Sequence, residues 1–170
     1  MRDCVLVLHN IRSAHNVGSM FRTADGAGVS RIILSGYTPG VTDPRGKERA
    51  PFVKVSLGAE KIVPYSRAKV LSAALKKLKK EGYTIIALEQ NKSSTSLFDY
   101  QVKKRPRRSA VGAPTKASEK LAVVMGNEVR GINTQSLRHA DHILHIPMQG
   151  KKESLNVGVA AGIALFTLMK

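Results

Sequence analysis

Three uninterrupted apolar runs constrain this chain more than any other feature: CVLVL at 4–8, TIIAL at 84–88 and LAVVM at 121–125. Each has the length of one strand, and none alternates apolar with polar residues. A strand with one wet face alternates, whereas a strand covered on both faces does not. RIILSG at 31–36 and HILHIP at 142–147 read as two further strands. Between these runs the apolar period changes. Val17, Met20, Phe21, Ala24 and Gly28 recur at helical spacing, which predicts a helix that begins near Asn16 as N-cap and ends at Gly26 and Gly28. SRAKVLSAALKKLKKEG predicts a second helix, capped by Ser66 and stopped by Gly82, with Leu71, Leu75 and Leu78 turned inward. A short helix is expected at 134–137, and a closing helix from near Ser154. Alternating strands and helices of this kind predict an α/β fold. Its sheet is mainly parallel, with helices on both faces, in one domain over 1–170.

The remaining segments are less regular. Residues 37–52, rich in Pro, Gly and charge, read as a loop. VSLGAEKIVPY holds a helical turn and a strand at IVPY, and a short strand is expected near Phe98 and Tyr100. From Lys103 to Ser118 there is no apolar period but much Pro, Gly, Ser and cation, so 103–118 reads as a flexible basic loop.

The formal net charge is +16. Net charge speaks to partners rather than to fold, and a domain this basic most often meets a polyanion, nucleic acid first. The tract KKRPRR offers Lys103, Lys104, Arg105, Arg107 and Arg108 as candidate RNA contacts. The single cysteine, Cys4, has no partner within the chain and sits in an apolar run, so a buried small hydrophobe in a reducing compartment is the simple reading. No leader or membrane-spanning pattern is present, which points to the cytoplasm. No G-x-G-x-x-G follows a strand, no phosphate-loop pattern occurs, and no Cys/His cluster has metal spacing. His139, His142 and His145 share a segment but alternate in direction along a strand, and they read as structural or surface residues.

In sheets of this kind ligands bind beyond the carboxyl ends of the strands. Three segments there stand out. In Asn16-x-Gly18-x-x-x-Arg22 an arginine interrupts an apolar, small-residue helix; alone it reads as a surface residue. In Gly126-Asn127-Glu128-Val129-Arg130-Gly131 two glycines flank an acid directly after a strand. Ile146-Pro147-Met148 leads through a short loop into Ser154-Leu155-Asn156, a polar entrance to a helix of very small residues. Such an entrance caps free N–H groups and can hold an electron-rich ligand. The small residues behind it permit close backbone approach.

Together, N-x-G-x-x-x-R, G-N-E-x-x-G and I-P-M…S-L-N resemble the three motifs of the SpoU (TrmH) family, RNA ribose 2′-O-methyltransferases of the SPOUT superfamily. They occur in order over nearly the whole chain, and S-L-G-A-x-x-x-V-P from Ser56 to Pro64 resembles the family's middle segment. The resemblance implies a C-terminal deep trefoil knot, a homodimer with the active site near its interface, and S-adenosylmethionine as cofactor, with no metal. It implies catalytic positions at Arg22, Asn16, Glu128, Ser154 and Asn156. It implies cofactor contacts from Leu88, Glu89, Gly126, Ile146, Met148, Ser154 and Leu155. Arginine is a poor free base, its pKa lying above about 12. Arg22 is therefore expected to grip an RNA phosphate, with Glu128 fixing its guanidinium through a charge-assisted pair; proton abstraction by a perturbed Arg22 is the alternative. Minimal-length relatives act on tRNA, which favours tRNA slightly over rRNA. Two rivals stand beside this reading: an inactive RNA-binding or ribosome-assembly factor on the same fold, and a SPOUT enzyme that methylates a base.

Overall fold

A computed structural model of the chain describes residues 2–101 and 119–170. The expectations placed on Lys103, Lys104, Arg105, Arg107, Arg108 and the loop at 103–118 lie outside the described residues.

The element order is β1 (Asp3–His9), α1 (Ala14–Gly26), β2 (Arg31–Ser35), α2 (Ala50–Ser56), α3 (Ala59–Ile62), β3 (Tyr65–Ala68), α4 (Leu71–Lys80), β4 (Thr84–Leu88), β5 (Thr95–Ser96), β6 (Lys120–Met125), α5 (Thr134–Leu137), β7 (His142–His145) and α6 (Val157–Leu168). The strands form one seven-stranded sheet in the order β3-β2-β1-β6-β4-β7-β5. Every pairing in it is parallel.

The uniform apolar runs are explained by cover on both faces. Leu6, Leu8, Ile32, Leu34 and Val123 face a core completed by Val17, Met20 and Phe21 of α1, Phe52 of α2 and Ala161 and Leu165 of α6. Val5, Val7, Ile85 and Val124 face the other way, onto Leu71, Leu75 and Leu78 of α4 and Ile132. Phe21 anchors the first core, with Phe52 and Tyr65 meeting its ring edge-on at 5.2 and 5.4 Å. Cys4 is fully buried, and burial, reinforced by Asp3, pushes its thiol up to about 12. That is far from a reactive thiolate.

The small residues of α6 meet α1. A Cβ on Gly158 would stand 3.7 Å from Ser19 Oγ, and one on Gly162 would stand 3.6 Å from Thr23 Cγ2. On the other flank of α1, a Cβ on Gly18 would run into the Phe52 carbonyl of α2. Both α6 distances are ordinary van der Waals contact, so Gly158 and Gly162 mark the face of α6 that packs on α1.

Several boundaries differ from the expectations. Helix α1 starts at Ala14 and its N-cap is Ser13, whose side chain accepts from the Asn16 N–H, so Asn16 lies inside the first turn. Ser66 caps nothing; it belongs to the exposed edge strand β3, and α4 starts at Leu71 after Val70. The strand expected at IVPY begins only at Tyr65, and the expected loop at 37–52 gives way to α2 at Ala50, helped by Pro51 in its first turn. The short strand expected near Phe98 and Tyr100 is β5 at Thr95–Ser96, and Phe98 is exposed. The closing helix starts at Val157, not near Ser154, because Asn156 is its cap. Among the described residues no helix is long and apolar enough to cross a membrane.

Candidate functional site

The carboxyl ends of β4, β6 and β7 lie side by side, and the turn after β6 shapes what lies beyond them. Asn127 is nearly buried, and its Oδ1 accepts from the N–H groups of Val129 (3.0 Å) and Arg130 (2.8 Å). Its backbone also exchanges hydrogen bonds with Gly131. The turn therefore closes on itself and pushes Glu128 outward. Two glycines make the closure possible. A Cβ on Gly126 would lie 2.6 Å from the Gly131 carbonyl carbon and 2.6 Å from Ile132 Cγ1. Gly131 has φ +61°, and a Cβ there would collide with the Glu89 carboxylate. That carboxylate is held by the N–H of Ile132 at 2.7 Å and of Gln90 at 3.3 Å.

Glu128 does not meet Arg22. Its Oε2 accepts from the Arg12 N–H at 3.0 Å, and its Oε1 from the Ser13 N–H at 3.3 Å and Asn16 Nδ2 at 3.1 Å. The expected ion pair is replaced by a bond between a carboxylate and the start of α1. There, unpaired N–H groups and the positive end of the helix dipole attract an anion. Partial burial alone would raise the Glu128 pKa, but these donors outweigh it and hold the carboxyl below its ordinary value. Arg22 lies six residues further along α1, about 9 Å of helix rise beyond Asn16. It is exposed, and among the described residues it makes no ion pair.

From Glu128 a chain of side chains runs to the last helix. Asn16 donates to Glu128, and Asn156 Nδ2 donates to Asn16 Oδ1 at 3.2 Å. Asn156 Oδ1 accepts from the Gly158 N–H at 2.9 Å and caps α6. One carboxylate and two amides thus tie the N-terminal ends of α1 and α6 to the turn after β6.

Beside this chain opens a cleft of about 240 Å³. Leu88, Met125, Ile146, Met148 and Leu155 give it apolar walls, and Glu89, Glu128 and Ser154 give it polar ones. All seven residues expected to hold a cofactor line it: Leu88, Glu89, Gly126, Ile146, Met148, Ser154 and Leu155. The structure thus brings Asn16, Glu128, Ser154 and Asn156 to one place and leaves Arg22 outside it. Sequence reasoning missed Asn127 as the organiser of the turn. Its place between Gly126 and Glu128 was the available signal, since Asn is a turn-forming residue whose side chain bonds the backbone two residues on. Of the histidines, His145 lines the cleft, with its Nδ1 3.0 Å from Ser94 Oγ, while the His142 ring packs on Tyr100.

Comparison with known proteins places this geometry. Residues 3–166 match the model of the SpoU rRNA Methylase family. A 23S rRNA (guanosine-2′-O-)-methyltransferase RlmB from a Burkholderia species is 34% identical over 169 residues, covering 98% of this chain and 58% of the relative. The protein of that name from Escherichia coli K12 is 31% identical over 166 residues, covering 98% of this chain and 59% of the relative. The chain therefore spans about three fifths of the length of these relatives. Among solved structures, an AdoMet-bound rRNA methyltransferase from Sinorhizobium meliloti superposes with a TM-score of 0.76 at 28% identity, over 97% of this chain and 55% of that one.

Proposed function

The chain belongs to the SpoU rRNA Methylase family, and from that premise we propose that it transfers a methyl group from S-adenosylmethionine to a ribose 2′-hydroxyl of RNA. One observation carries the reading. The cleft at the carboxyl ends of β4, β6 and β7 gathers every residue expected to touch the cofactor, with Glu128 on its wall and the Glu128–Asn16–Asn156 chain running from it. The groups present suit such a cofactor. Apolar walls accept an adenine ring, and Gly126 and Gly131 leave backbone where a side chain would otherwise stand. The curated relatives act, by name, on 23S rRNA. Ribosomal RNA therefore replaces tRNA as the favoured substrate class.

Bound S-adenosylmethionine supplies a methyl group on a sulfonium. The chain's own residues supply position. Ser154 and Leu155 border the cleft just before the cap of α6, where the positive end of the helix dipole favours electron-rich partners. Glu128 is engaged by three donors and stays ionised, so its part is to hold Asn16 and the start of α1 rather than to take the hydroxyl proton. Arg22 grips an RNA phosphate and orients the 2′-hydroxyl, which is worth rate through proximity. Its exposed place on α1, outside the cleft, supports a homodimer in which the site lies near the interface. Val159 and Phe166, each 53% exposed on α6, support the same assembly. The trefoil knot belongs to the proposal as well, supported by a chain that reaches β7 across β4 and returns in α6 to pack on α1 and β6. A cytoplasmic location follows from a ribosomal substrate. The basic tract from Lys103 to Arg108 is proposed to add phosphate contacts.

The test is transfer of labelled methyl from S-adenosylmethionine to unmodified 23S rRNA and, separately, to tRNA, followed by nuclease digestion and mass spectrometry. Label on the ribose of 23S rRNA is the expected result. Label on a base would establish the base-methylating alternative. RNA binding without transfer would establish the inactive factor.

A further inference from the structure

Tyr37 takes no part in the site described above, yet it is held beside it. The residue is 59% exposed. The other three tyrosines all use their rings: Tyr65 packs on Phe21, Tyr100 on His142, and Tyr83 lies under Arg31 and Lys120. Among the described residues the Tyr37 ring enters no such pairing. An idle, solvent-facing aromatic is usually mobile, but this one is fixed at several points. Its hydroxyl accepts from Asn127 Nδ2 at 2.9 Å, and its N–H donates to Asn10 Oδ1 at 3.2 Å. The next residue, Thr38, is fully buried; its hydroxyl accepts from the Ile11 N–H and lies within hydrogen-bond distance of the Leu8 and Ser35 carbonyls. On the other side Gly36 has φ +63°, and a Cβ there would collide with Asn10 Oδ1. Asn10 itself has φ 55°, in the left-handed region that asparagine adopts more readily than most residues. A left-handed backbone at Gly36 and at Asn10 thus accompanies the fixing of one exposed ring.

The anchor ties the ring to the cleft. Asn127 lines the cleft between Gly126 and Glu128, and its Nδ2 donates both to the Tyr37 hydroxyl and to the Asn10 carbonyl. The same side chain that builds the wall of the cleft therefore sets the position of the ring. Exposed cations stand on both segments that hold it, Arg12 two residues after Asn10 and Arg130 three after Asn127. A flat, pre-positioned π-face with exposed cations on the segments that hold it suits the stacking of unpaired bases.

We propose that Tyr37 is a stacking platform for an unpaired nucleobase of the RNA at the rim of the cleft. The inference deepens the methyltransferase reading and rests on it for the identity of the polymer. Stacking needs the ring and not the hydroxyl, which separates it from a merely structural part.

The experiment compares wild type, Tyr37→Ala and Tyr37→Phe in binding an unmodified 23S rRNA transcript over a series of salt concentrations. Each is also titrated with S-adenosylmethionine, and wild-type methyl transfer is measured on the same transcript. Tyr37→Ala should weaken RNA binding roughly 5-fold to 150-fold, with an unchanged salt slope because no phosphate contact is lost. Tyr37→Phe should retain most of the affinity, and cofactor binding should hold in both. RNA binding unchanged in Tyr37→Ala overturns the proposal. So does a Tyr37→Phe loss as large as the alanine loss, since the hydroxyl anchor would then be the whole effect. A wild type that binds no RNA overturns it as well. The wild-type transfer assay keeps the two claims apart. Transfer with no Tyr37 effect sinks the platform alone, while the expected Ala/Phe pattern without transfer sinks the methyltransferase reading alone.

Discussion

Removing the Glu128 side chain should cost stability through the start of α1, and the size of the cost can be worked from its bonds. The carboxylate accepts from two backbone N–H groups and one amide, at 3.0 to 3.3 Å. Hydrogen bonds to charged groups are worth about 1.5–3 kcal/mol each. Glu128 is exposed, so solvent screens most of that gain, and the low end for caps and dipole contacts applies. The sum for Glu128→Ala is about 1 kcal/mol, which in a chain of this length lowers Tm by roughly 2–4 °C. The pH dependence has a definite sign. A carboxyl held below its ordinary value contributes stability that is present above the ordinary pKa and lost as pH falls through the lowered one. Urea denaturation of wild type and Glu128→Ala should therefore differ fully at pH 7, and the difference should shrink as the pH falls below about 4.5, the ordinary glutamate value. A double-mutant cycle adds the partner. Glu128 and Asn16 should couple by about 0.5 kcal/mol or more, while Glu128 and Arg22 should be additive. A difference that does not change with pH, or a clear coupling to Arg22, would refute the assignment of Glu128 to the α1 N-terminus.

Arg22→Ala should abolish methyl transfer and leave S-adenosylmethionine affinity nearly unchanged in calorimetric titration; a large loss of cofactor affinity would contradict a role outside the cleft. Gly126→Ala places a Cβ 2.6 Å from Gly131 and Ile132. It should cost about 1–3 kcal/mol in urea denaturation and weaken cofactor binding, and a neutral result would mean that the turn after β6 is loosely packed. Phe52→Ala empties a fully buried site against Phe21 and should cost about 3–5 kcal/mol; a loss below that of an ordinary surface substitution would show that α2 does not help to hold the first core.

What was legible in the sequence follows from burial. CVLVL, TIIAL and LAVVM appear at β1, β4 and β6, the strands enclosed on both sides, because full burial leaves a continuous apolar record. The outer strands left none. β3 and β5 sit at the two edges, where YSRA and TS are mostly exposed and show no period. That is why the sequence around Ser66 offers a helix cap where the chain makes an edge strand. The helix starts slipped for a related reason. Asn16, Ser154 and Asn156 are all plausible caps, and only tertiary contacts decide among them. Asn156 caps α6 while also reaching Asn16, and Asn16 is drawn to Glu128, which leaves Ser13 to cap α1. The family motifs located the cleft residues well, since motif spacing tracks strand ends. They did not reveal which donors Glu128 would choose, because that depends on the docking of the turn after β6 against the start of α1.

The central place of β1 has a consequence for the way the chain comes together. Asp3 lies opposite Lys120, and Leu8 opposite Met125, so the first strand completes its pairing only with residues far along the chain. During synthesis β1 can join β2 and β3 early, but its other side must wait for β6. Until then Cys4 to Leu8 present an unpaired apolar edge, the kind of template that recruits a wrong strand. Closing so long a loop to form parallel pairs is also slow. The segment most deeply buried in the finished molecule is therefore the one most in need of shelter on the ribosome.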